Sequence, residues 1–223
     1  MVQVFSRVRG AVLAGACAVV LSGCAGNVAP EVKRLPERVE LSGTFYRGEA
    51  NQSGPQVLAS LLSQQGIVIT PGLLEKPLHL PGAEDKLQQN MQNLAREYGL
   101  VVYPLDSKLP ALLTQVAAGY PVMVRFSEGS AFWAEPRYAI LSGYDRNKQK
   151  VLLRAGMNRR QLMDFGSFQA ALDEAGGWAI LIQKPSQIPA AVDRSRWLKA
   201  ADELAQAGEE NAAAQARKAL AAQ

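Results

Sequence analysis

Between residues 53 and 182 the chain alternates between apolar positions at helical spacing and short continuous apolar runs. Val57, Leu58, Leu61 and Leu62 predict a helix over about 54–65, with Pro55 in its first turn, where a missing N–H costs nothing. Gly66 stops it, and the apolar run Ile67-Val68-Ile69 follows. Pro71, Pro77, Pro81 and Gly82 mark a long irregular connection that holds His79. Leu87, Met91 and Leu94 share one face of a helix over about 84–97, ended by Gly99. Leu100 to Tyr103 reads as a strand, about 107–118 as a helix, and Pro121 to Phe126 as a buried strand. Tyr138 to Asp145 and Val151 to Arg154 form a β-hairpin around the turn Asp145-Arg146-Asn147-Lys148. A turn at Met157-Asn158-Arg159-Arg160 leads to Gln161-Leu162-Met163, and Asp164 is placed to cap a helix over about 165–175. Gly176-Gly177 breaks that helix before the strand Trp178 to Ile182. Helices come first and antiparallel strands later, with one helix among them, which predicts an α+β fold rather than a doubly wound sheet.

The two ends differ from this middle. Residues 1–23 open with Arg7 and Arg9 and an apolar run, Ala11 to Leu21, too short to span a bilayer. That is the form of a secretory signal peptide. Leu21-Ser22-Gly23-Cys24 matches the lipobox of bacterial lipoproteins, which implies cleavage before Cys24, lipidation of its thiol and stable anchoring by several acyl chains. Ala25 after the cysteine favours the outer membrane by the same resemblance. Residues 24–38 are polar, carry Pro30 and Pro36, and read as a tether. The main domain, 39–189, opens with a possible short strand between Val39 and Tyr46. Residues 190–223 are Ala-rich, break at Gly208 and predict a helical hairpin. The hairpin resembles one tetratricopeptide unit; a plain hairpin docked on the domain fits as well.

Composition narrows the function. Of 24 basic residues, Arg7 and Arg9 leave with the signal segment, so 22 face 20 acidic ones, a balance that gives no reason to expect nucleic-acid binding. The two cysteines, Cys17 and Cys24, both precede the domain. No disulfide framework, cysteine metal site or cysteine nucleophile can lie within it. His79 is the single histidine, and one imidazole cannot build a multi-histidine zinc site. No metal and no cofactor is expected.

The stretch Asn51-Gln52-Ser53-Gly54-Pro55 delivers a polar loop to the start of an apolar helix, as papain-like enzymes present a nucleophile. Gln52-Ser53-Gly54-Pro55, Leu80-Pro81-Gly82, Ala117-Ala118-Gly119-Tyr120-Pro121-Val122, Arg137-Tyr138-Ala139-Ile140-Leu141-Ser142-Gly143-Tyr144-Asp145 and Gly177-Trp178-Ala179 together resemble the papain-like domain of double-glycine-leader, bacteriocin-processing cysteine peptidases. The resemblance is closer to their bacterial lipoprotein relatives with a C-terminal tetratricopeptide region, and it covers roughly residues 39–190. It implies a papain-like fold, and it also shows that the catalytic positions are changed. Ser53 stands where the family has its cysteine, and Arg137 where it has the histidine base. Arg47-Gly48 falls near the oxyanion glutamine, and Arg154-Ala155 near the orienting acid.

A serine hydroxyl needs a neighbouring base, and an arginine, protonated at any working pH, cannot be one. Losing a triad costs several orders of magnitude in rate. The expectation is therefore a pseudo-enzyme, lipid-anchored and periplasmic, that binds a peptide or protein segment in a cleft formed by Gln52, Ser53, Trp133, Arg137 and Tyr138. The residues leave alternatives open. Ser53 is either a helix N-cap or, with His79, the nucleophile of a rebuilt hydrolase or acyltransferase. Arg137 is a solvated or ion-paired strand end, or a cationic contact for an anionic ligand. Phe132 and Trp133 are core or groove. Arg159-Arg160 reads as an exposed turn rather than a binding patch. A scaffold acting through the C-terminal helices is the remaining alternative.

Overall fold

The computed structural model describes residues 29–49, 52–129 and 134–223. Cys24 and its lipobox, Asn51, Phe132 and Trp133 lie outside the described residues. The elements run α1 (Pro30–Lys33), β1 (Arg38–Glu40), α2 (Ser53–Gln64), α3 (Pro71–Leu74), α4 (Leu87–Glu97), β2 (Val101–Pro104), α5 (Leu109–Ala117), β3 (Val122–Glu128), β4 (Glu135–Asp145), β5 (Lys150–Ala155), β6 (Asn158–Asp164), α6 (Phe165–Glu174), β7 (Ala179–Gln183), α7 (Arg194–Gln206) and α8 (Glu210–Ala221). The strands form one antiparallel sheet in the order β2-β7-β3-β4-β5-β6, with β1 beside the end of β4. This is the α+β, papain-like architecture the sequence predicts.

Alternation along the strands sends side chains to two cores, one on each face. Met123, Tyr138, Ile140, Ile180 and Ile182 face α2 and α4 through Leu58, Leu62, Met91 and Leu94. Val124, Phe126, Ala139, Leu141, Leu153 and Leu181 face α5 and α6 through Leu112, Leu113, Phe168 and Leu172. The Gly143 of the Ser-Gly-Tyr-Asp motif has a packing role. A Cβ there would lie 2.4 Å from the Val39 carbonyl oxygen, so only glycine lets β1 run this close to β4.

Several expectations change. The tether is docked in part: α1 buries Val32, 1% exposed, in the core beside α5, because one apolar residue on a short turn suffices to hold it. The strand expected between Val39 and Tyr46 is limited to Arg38–Glu40, where β4 offers backbone partners. The turn at 157–160 is shorter, with Arg159 and Arg160 already in β6. Asp164 makes no cap bond; its carboxylate pairs with Lys150 across the β5–β6 ladder at 2.9 Å.

The C-terminal hairpin shares the domain's core. Trp197 is fully buried, its Nε1–H donating to the Ala216 carbonyl at 2.9 Å and its ring 5.9 Å from that of Tyr103 on β2. Ala200, Ala201, Leu204, Ala213, Ala216 and Leu220 join the same cluster as the sheet. Asp193 caps α7 through the Arg196 N–H at 2.7 Å. Arg96 on α4, largely buried, pairs with Glu203 on α7 and ties the hairpin to the opposite layer. Among the described residues no helix is long and apolar enough to cross a membrane.

Candidate functional site at the start of α2

The structure brings Ser53 and Tyr138 together across 85 residues, with the Tyr138 N–H donating to Ser53 Oγ at 3.1 Å. The geometry of the ladder explains why. Arg125 lies opposite Tyr138 and sends its own N–H to the carbonyl of Trp178, just before β7. In an antiparallel pair of this kind the Tyr138 N–H then points away from β3, towards the β5 side. On that side the β4–β5 pairing ends at Ile140 opposite Arg154, so no strand acceptor reaches Tyr138. Ser53 Oγ takes the acceptor's place.

Ser53 is therefore not the N-cap. It is the first residue of α2, Gln52 holds the cap position without a side-chain bond, and the serine is only 5% exposed. Its hydroxyl satisfies a strand amide because that amide has a greater need of a partner than the helix end does. Gln52 itself is exposed at the entrance to the helix.

Around this bond lie groups that no single motif announces. The Tyr138 ring meets Trp178 edge to face, centroids 5.7 Å apart. Burial pushes the Tyr138 phenol up to about 12, an effect the nearby Arg125 partly offsets. Arg125 is anchored by its Nη1–H to the Ala175 carbonyl at 3.1 Å. Trp178 stands in the sequence between a glycine break and an apolar strand, and that place is the signal that it lines this end of the sheet.

Arg137, adjoining that amide, is half-buried and forms an ion pair with Glu135 at 2.8 Å, leaving its Nε without a partner. This is the ion-paired strand end among the readings of Arg137. At the position matching the oxyanion glutamine, the Gly48 N–H is donated to Gly156 O at 3.3 Å. The buried Gln56 side chain presses on Gly48, where an added Cβ would lie 1.8 Å from its Nε2. At the position matching the acid, Arg154 is buried and donates to the Leu41 carbonyl. His79 sits exposed at φ 59° in the 71–82 connection. Among the described residues no group of three or more His, Cys, Asp or Glu side chains converges as a metal site would require.

Chemically, the arrangement holds a serine oxygen as an acceptor beside permanently charged guanidinium groups. Arg137, the residue before that amide, is protonated at any working pH and cannot serve as a base for a hydroxyl nucleophile.

The sheet, the helix that packs on it and the site at their junction define a peptidase-like domain of the papain type. Among solved structures, the chain is similar to a C39-like peptidase from Bacillus anthracis, at 15% identity and a TM-score of 0.50, covering 67% of this chain and 98% of that one. It is also matched by a double glycine motif protease from an AMS/PCAT transporter in complex with the leader peptide (12% identity, TM-score 0.46, 65% and 94% covered). A third match is the peptidase domain of Streptococcus ComA, a bi-functional ABC transporter involved in quorum sensing (16%, 0.46, 66% and 98%). At such identities the first of these establishes the fold. Neither the family models nor the curated proteins give a match to the sequence.

Proposed function

We propose that this protein is a non-catalytic, lipid-anchored periplasmic domain that binds a peptide or protein segment in a papain-like cleft at the start of α2. The observation that carries the reading is the state of Ser53, whose oxygen is buried and accepts the Tyr138 N–H. Arg137 beside it is paired to Glu135 and cannot take a proton. Gln52, Ser53, Arg137 and Tyr138 frame the cleft, with Trp133 as the further wall that the sequence assigns to it. The Leu21-Ser22-Gly23-Cys24 lipobox supports the anchor, and Ala25 supports the outer membrane.

A rebuilt serine hydrolase would need a base at Ser53, and the one imidazole of the chain is exposed on a separate connection. The deciding experiment treats the purified protein with a fluorophosphonate probe and a mixture of peptides. Neither labelling nor cleavage is expected; labelling of Ser53, or cleavage lost in Ser53→Ala, would overturn the proposal.

A further inference from the structure

The strands β1, β5 and β6 carry a charge imbalance that the cleft does not use. Four arginines, Arg38, Arg154, Arg159 and Arg160, gather around one carboxylate, Glu40. That carboxylate is already committed. It accepts Nε–H and Nη2–H from Arg160 at 2.9 and 3.1 Å, and Nη2–H from Arg38 at 3.0 Å.

Arg154 has no acid partner among the described residues. It is 5% exposed, one Nη donates to the Leu41 carbonyl, and Nη1 is buried without any partner. Gln64 Nε2, at the C-terminal end of α2, is also buried and unpartnered. Both nitrogens converge under Gly43, where a Cβ would lie 2.6 Å from Gln64 Nε2 and 3.1 Å from Arg154 Nη1. Arg159, exposed and likewise without an acid partner among the described residues, joins Arg154, Arg160, Ser42 and the arginine-bound Glu40 in lining a cavity of about 320 Å³. None of its lining residues is among Gln52, Ser53, Arg137 and Tyr138, so it is separate from the cleft.

A buried guanidinium without a counter-charge is strongly unfavourable, and proteins that hold one pair it or place it where a ligand does. The cavity presents two guanidinium ions without an acid partner, those of Arg154 and Arg159, and the Ser42 hydroxyl. Planar, multi-donor guanidinium groups match oxyanions, and the non-bridging oxygens of a tetrahedral phosphate, set about phosphorus with its ester oxygens, take donors from several directions at once. A carboxylate holds its two oxygens in one plane and repeats what Glu40 already supplies to Arg38 and Arg160.

We propose that the cavity lined by Arg154, Arg159, Arg160 and Ser42 binds a phosphate group, either free or carried as the phosphodiester of a lipid headgroup. Arg154 and Arg159 supply the charge, and Ser42 supplies a neutral donor beside it.

The test is run on the full chain in neutral detergent. Thermal unfolding and calorimetric titration are recorded with inorganic phosphate, with glycerophosphoglycerol as the soluble headgroup, and with sodium chloride at matched ionic strength. At least one phosphate ligand is expected to bind and raise the unfolding midpoint more than chloride does. Tighter binding of inorganic phosphate assigns the free ion, and tighter binding of the diester assigns the headgroup. Arg159→Ala, an exposed change, is expected to leave the ligand-free midpoint in place and weaken binding about tenfold or more, the loss of one charge-assisted contact. Arg154→Met is expected to abolish binding. The proposal fails if neither ligand exceeds chloride, or if Arg159→Ala binds as wild type does.

Discussion

The Ser53 hydroxyl can be tested as a structural acceptor by Ser53→Ala. The substitution removes one oxygen from a position that is 5% exposed and leaves the Tyr138 N–H without an acceptor. Because β5 does not pair as far as Tyr138, no strand can replace it. Leaving a buried donor unsatisfied costs about 1–3 kcal/mol. Alanine's higher helix propensity returns only a few tenths, since residue 53 is at the first position of α2. For a chain of this size each kcal/mol moves the midpoint by about 2–4 °C, so a fall of about 2–10 °C is expected. The assay is urea and thermal unfolding of wild type, Ser53→Ala and Ser53→Cys, with peptide hydrolysis followed in parallel. Cysteine, a weaker acceptor of similar shape, should fall between the other two. If Ser53→Ala unfolds within 0.5 kcal/mol of wild type, the hydroxyl is not serving the strand amide and the structural account of Ser53 is wrong.

Two further predictions concern the rest of the fold. Trp197→Ala should cost about 3–5 kcal/mol and lower a single unfolding transition, because the indole belongs to the same core as the sheet; a separate early transition for the hairpin alone would contradict the shared core. Glu40 is held down to about 2 by hydrogen bonds from Arg160 and Arg38. Its folded value lies below the ordinary 4.5, so its contribution is full above that pH and is lost as pH falls towards 2. The site is solvent-exposed, so the effect is about 1 kcal/mol at most, and acid titration of stability in Glu40→Gln should show a shallower loss than wild type over that window.

Much of the architecture was legible because alternation and helical spacing both report burial. Tyr138 to Asp145 reads as a strand since every second side chain enters one of two cores. The docking of α1 was not legible, because Val32 is its one buried residue and no period can be read from one residue. Whether the C-terminal hairpin is a tetratricopeptide unit or a plain hairpin docked on the domain stays open in the sequence for a related reason. Its contact surface is built largely from Ala200, Ala201, Ala213 and Ala216, small residues that favour helix wherever they stand. Trp197 was the one residue whose size demanded a core.

At the site, the sequence points to Ser53 and Arg154 as residues of interest but not to the groups their side chains bond. A serine before an apolar helix is a natural cap, and local rules can say no more. Its actual partner is an amide 85 residues away, made available by where β5 stops, which is a property of the sheet. Arg154 shows the same limit. In the sequence it is the residue standing where an acid would orient a base; in the fold it is a buried charge facing an unpartnered amide across Gly43. Ser53 contributes by accepting a strand amide, and Arg154 by donating to the Leu41 carbonyl and holding a charge beside β1.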